Sequence, residues 1–98
     1  MLLEIRLVSD KTPRDGKLEV SPEVADSLKA LGDDLPLSTP AGDSRAEVRS
    51  MECTCGKRGN ERHIHYFVVS PLFKDLVAGT EVRLEIDDLG RLIVARVD

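Results

Sequence analysis

The chain has 98 residues, 41% of them hydrophobic and 33% charged, with a formal net charge of −4. That length makes a single domain over residues 1–98 with a small core, built from aliphatic side chains because Tyr66, Phe67 and Phe73 are the only aromatics. No apolar run is long enough to span a bilayer, and Met1-Leu2-Leu3-Glu4-Ile5-Arg6 lacks the basic-then-apolar pattern of a secretory signal, so a cytoplasmic protein with no membrane role is expected.

In chain order, Leu2 to Val8 alternates, with Leu3, Ile5 and Leu7 on one face and Glu4 and Arg6 on the other, and predicts a strand with the apolar trio turned inward. Asp10 to Gly16 reads as a loop from its Pro, Gly and Asp content, and Lys17 to Val20 as a short strand. Ser21-Pro22 opens a helix, Ser as cap and Pro at the first position, with Val24, Ala25, Leu28 and Leu31 on its apolar side and Gly32 at its end. Leu35 to Thr39 is a strand, Pro40 to Asp43 a turn, and Arg45 to Cys55 a long alternating strand. Gly56 to Arg62 is a loop, and His63 to Val69 the returning strand. Ser70-Pro71 repeats the capping device before a short helix carrying Leu72, Phe73, Leu76 and Val77, released at Gly79. Glu81 to Asp87 alternates cleanly, with Val82, Leu84 and Ile86 inward; Asp88-Leu89-Gly90 turns the chain; Arg91 to Val97 returns as a strand buried on both faces. The sum is a mainly β fold with two short helices, a small seven-stranded open (pseudo)barrel.

The chemistry concentrates in the long hairpin. In Cys53-Thr54-Cys55 the two thiols share a face of the strand but stand too far apart for an unstrained disulfide, which leaves metal ligands or free thiols. Setting Cys55 opposite His63 puts Cys53 opposite His65, and all four side chains then project from one face. Cross-strand neighbours are roughly 5 Å apart and i,i+2 neighbours roughly 7 Å, a rectangle whose corners can converge on one ion. Two thiolates and two imidazoles are a tetrahedral zinc set, and four protein ligands close the site, so the zinc is structural and not catalytic. In this register Ala46, Val48, Ile64, Tyr66 and Val68 face the core, and Phe67 faces outward with the ligands. The bland alternative is two free thiols and two surface histidines. A metal or thiol enzyme with His63 or His65 as base finds little support: there is no separate nucleophile and carboxylate set and no glycine-rich phosphate loop.

Charge is unevenly spread. Residues 18–34 carry about −4 and residues 81–98 about −2, while the cations gather in two stretches, Lys11, Arg14 and Lys17, and Lys57, Arg58 and Arg62 with Asn60 beside them. Arg reads guanine edges, Asn reads adenine, and Lys and Arg neutralise phosphates. Either loop alone is an ordinary solvated loop; two basic prongs on an acidic body would orient the domain on DNA.

The order of elements, together with Ser9-Asp10 through Gly16-Lys17-Leu18-Glu19-Val20-Ser21-Pro22, His65-Tyr66-Phe67-Val68-Val69-Ser70-Pro71-Leu72-Phe73 and Leu76-Val77-Ala78-Gly79-Thr80-Glu81-Val82, resembles the DNA-binding pseudobarrel of plant auxin-response-type transcription factors and restriction-endonuclease effector domains. The resemblance runs over nearly the whole chain. It implies two arms, 11–17 and 57–62, that grip the major groove of double-stranded DNA, with Lys11, Arg14, Lys17, Lys57, Arg58, Asn60 and Arg62 as contacts. Zinc on Cys53, Cys55, His63 and His65 would then hold the second arm in shape. The competing expectation is a zinc-stabilised adaptor for a protein partner, meeting it through an exposed Phe67 and the acidic helix residues Glu23 and Asp26.

Overall fold

The computed structural model describes residues 1–32, 34–53 and 63–97, Cys53 and His63 by their backbone alone. The strands are β1 (Leu2–Leu7), β2 (Lys17–Val20), β3 (Leu35–Thr39), β4 (Gly42–Cys53), β5 (His63–Val69), β6 (Glu81–Ile86) and β7 (Leu92–Arg96). They form one sheet in the order β1-β6-β7-β3-β4-β5-β2, antiparallel except where β3 runs parallel to β7. The sheet curls nearly into a barrel and leaves one seam, between β1 and β2. The expected mainly β, seven-stranded open barrel is therefore the fold.

Two serine–proline devices set the helical pieces. Helix α2 (Pro22–Lys29) is capped by Ser21, whose side chain accepts a hydrogen bond from the Val24 N–H at 3.3 Å. It buries Val24, Ala25 and Leu28, while Leu31 falls beyond its last turn and is exposed. Ser70 repeats the cap on Leu72, but the element it opens, Pro71–Asp75, is a 3₁₀ helix that buries Phe73 completely. Val77, expected on its apolar side, is exposed.

The segment expected as the first loop contains a one-turn helix, α1 (Lys11–Asp15). Pro13 lies in the first turn, where a missing N–H costs nothing, and Gly16 closes the turn in the left-handed region at φ 71°. Gly16 is also sterically required: a Cβ there would come within 3.0 Å of the Ser70 carbonyl oxygen, and the Ser70 N–H donates to the Gly16 carbonyl. The residues that read as loop punctuation are thus the start and stop of a helix pinned on the 3₁₀ turn.

The core joins Leu18, Val20, Leu35, Leu37, Ala46, Val68, Val82, Leu84, Leu92 and Val94 from the strands to Leu28 and Phe73 from the helical elements. Strand β1 departs from expectation. Its register sets Glu4 and Arg6 beside the buried Leu84 and Val82, which turns Ile5 and Leu7 outward, 48% and 65% exposed. A bulge between Leu2 and Glu4 breaks the alternation. The inward charges have partners in the seam: Glu4 accepts from the Ser21 N–H at 3.1 Å, and Arg6 lies 3.7 Å from Glu4 and 3.9 Å from Glu19 of β2. In β7, Leu92 and Val94 are buried but Ile93 and Ala95 only half so, which makes it a one-sided strand.

Candidate functional site: the outer face of the long hairpin

Strands β4 and β5 pair from Glu47↔Val69 through Arg49↔Phe67 and Met51↔His65 to Cys53↔His63. The expected register is displaced by two residues: Cys53, not Cys55, stands across from His63, and Met51 is the residue opposite His65. A two-residue slip keeps every side chain on its face, so hydrophobic patterning cannot detect it. The connection it leaves, residues 54–62 with two glycines, is too long for turn geometry to set the register. By this register Cys53 is roughly 5 Å from His63 and diagonal to His65, roughly 7 Å away. Cys55 lies outside the described residues, as do the side chains of Cys53 and His63. Among the described residues no group of three His, Cys, Asp or Glu side chains is placed to hold a metal ion.

Burial changes along this ladder. At its inner end Ala46 and Val68 are sealed in the core. At its outer end Met51 on one face and Ile64 on the other are each 52% exposed. Ile64 has the inward parity expected of it, but the core has ended before its position. A two-stranded ribbon without a core beneath it is marginal in water.

The outward face also carries charge. On β2, Glu19 stands across from Phe67, and its Oε2 lies 3.3 Å from Nδ1 of His65. Phe67, expected to be exposed, is only 5% so. It is outward by parity, yet its ring is covered: the Lys17 ammonium sits 4.7 Å from its centroid, and the His65 ring 6.4 Å away. The lysine stem spreads over apolar surface while the charge rests on the aromatic face. Lys17, Arg49, Met51 and Phe67 border a shallow cleft of about 270 Å³. Arg49 is engaged by Glu47 on its own strand at 2.8 Å.

The first group of basic residues falls at the inner end of this face. Lys11 and Arg14 are exposed on α1, and Lys17 opens β2 opposite Val69 at the inner end of the ladder. Arg14 pairs with its neighbour Asp15 at 3.2 Å, and that guanidinium holds the Asp15 carboxyl below its usual value. Lys57, Arg58, Asn60 and Arg62, in the sequence between β4 and β5, lie outside the described residues. Six strand steps separate Val69 from His63, about 20 Å along β5. Sequence reasoning missed Glu19 as a member of this face. Glu19 shares a strand face with Lys17, but nothing local says that β2 pairs with β5, and that pairing brings its carboxylate to His65. Comparison with protein-family models, with curated proteins and with solved structures finds no match.

Proposed function

We propose that this is a DNA-binding domain of the pseudobarrel type, stabilised by one structural zinc and gripping the duplex with segments 11–17 and 57–62. The observation that carries the reading is the outer half of the β4–β5 ladder. There Met51 and Ile64, one on each face, are half exposed, the strands pair as Met51↔His65 and Cys53↔His63, and the chain continues from Cys53 into the basic stretch. A ribbon with no core under it needs another tie, and Cys53, Cys55, His63 and His65 have the donor chemistry for zinc. Zinc would contribute no reaction; it would fix the ribbon end so that Lys57, Arg58, Asn60 and Arg62 meet DNA already ordered. Lys11, Arg14 and Lys17 serve the other end of the same face. The test is metal analysis of the purified protein together with duplex binding before and after chelation: one zinc per chain, with binding weakened by its removal, is the expected result.

A second reading, a zinc-stabilised module for a protein partner, is favoured by one observation: edge strand β1 exposes Leu2, Ile5 and Leu7. Its earlier contact point, Phe67, is covered, while Glu23 and Asp26 remain exposed on α2. Reversing the charges of both basic segments separates the readings, because partner binding through β1 or α2 survives that change and DNA binding does not.

A further inference from the structure

The geometry points to Glu19 as the residue that orients His65 for metal binding, an inference that rests on the zinc reading above. Its Oε2 stands 3.3 Å from Nδ1 of His65, across the β2–β5 pair. A carboxylate beside Nδ1 accepts that nitrogen's proton as a hydrogen bond, and the imidazole lone pair is then on Nε2. Zinc-binding histidines have this arrangement: one ring nitrogen donates to a carboxylate or carbonyl, which fixes the tautomer, aims the ring and raises the basicity of the other nitrogen.

Four further contacts bear on the placement. Arg6 of β1 lies 3.9 Å from the same Glu19 oxygen, so the carboxylate sits between a cation across the seam and the histidine on its own side. Arg6 in turn reaches Glu4, which accepts from the N–H of the α2 cap residue Ser21. The ring of Phe67 flanks His65 at 6.4 Å. Glu19 is thereby anchored to the barrel body, while His65 is on the ribbon that leaves it. With His65 31% and Glu19 40% exposed, a plain ion pair at this position would add little to stability, which separates a positioning role from a structural one. Glu19 is a positioning residue in this scheme and does not itself contact the metal.

The test measures zinc affinity by competition with a chelating indicator under reducing conditions, for wild type, E19A and E19Q, beside urea unfolding of the zinc-free proteins. Expected is a 10- to 100-fold loss of affinity in E19A at unchanged stoichiometry, with unfolding of the zinc-free form unaltered. E19Q, whose amide oxygen still accepts the bond without the charge, loses several-fold and less than E19A. If E19A fails to fold, E19Q decides alone: a several-fold loss supports the role and wild-type affinity overturns it. E19A binding as tightly as wild type overturns the positioning role and leaves the zinc reading standing. A wild-type protein that takes up no zinc overturns both.

Discussion

The β4–β5 ladder is one continuous pairing with two different foundations. Its inner half, around Ala46, Val68 and Val69, is a wall of the barrel, held by the packing of Leu18, Leu28 and Phe73. Its outer half, from Met51↔His65 to Cys53↔His63, has the same strand pairing, but Met51 on one face and Ile64 on the other are half exposed. Strand pairing alone does not anchor a ribbon; the side chains on its faces do. Where apolar burial stops, this sequence places cysteines and histidines. The proposed function rests on a division of labour in which the hydrophobic core holds the body and zinc would hold the outer end.

The comparison can be broken at several points. The largest effect is expected in the barrel half: Phe73→Ala should cost about 3–5 kcal/mol, read by urea unfolding, because the ring is fully buried. Ile64→Thr, in the outer half, should stay within about 0.5 kcal/mol in the zinc-free protein. If the two substitutions cost the same, the halves do not have separate foundations. Zinc removal should act the other way round. Amide exchange in the outer half should quicken on chelation while amides around Val68 keep their protection, as followed residue by residue by hydrogen exchange. Arg58→Ala should weaken duplex binding and lower the slope of log affinity against log salt by about 1, read by titration at several salt concentrations.

The smallest effect belongs to the β6–β7 hairpin. The β6–β7 turn is closed by Asp87, whose Oδ1 accepts from the Leu89 and Arg91 N–H groups at 2.9 Å and whose Oδ2 accepts from Arg91 Nε at 2.7 Å. The Arg91 N–H bond first, then its guanidinium, lower the Asp87 carboxyl below the usual value. A carboxylate lowered in the folded state contributes stability above its unfolded value and loses it as pH falls through the folded one. Asp87→Asn should therefore make stability less sensitive to acid below about pH 4, in unfolding midpoints compared between neutral and acid buffer.

How far the sequence carries the fold is clearest in the pair β1 and β6. Both alternate, and both suggest an apolar face turned inward. For β6 the expectation holds: Val82 and Leu84 are buried. For β1 it inverts, because alternation reports a period and not which face the neighbours will cover. The seam supplies polar partners for Glu4 and Arg6, the Ser21 N–H and Glu19, and the inward face of an edge strand can then be the charged one. The serine–proline pairs were legible because the cap and the first turn are local; α1 was not, since the contact that pins Gly16 comes from Ser70, far along the chain. At the candidate site the outward face of His65 followed from period two alone. The displaced register and the role of Glu19 depend on which strands become neighbours, and that is decided by the whole sheet.

The most direct test of the account is the binding of zinc-loaded protein to a mixed-sequence duplex, followed by fluorescence anisotropy from low to physiological salt. The account predicts binding that is measurable at low salt and weakens steeply as salt rises, since cations from both segments would displace counterions from phosphate. No binding even at low salt would contradict it, because that electrostatic contribution does not depend on the sequence of the duplex.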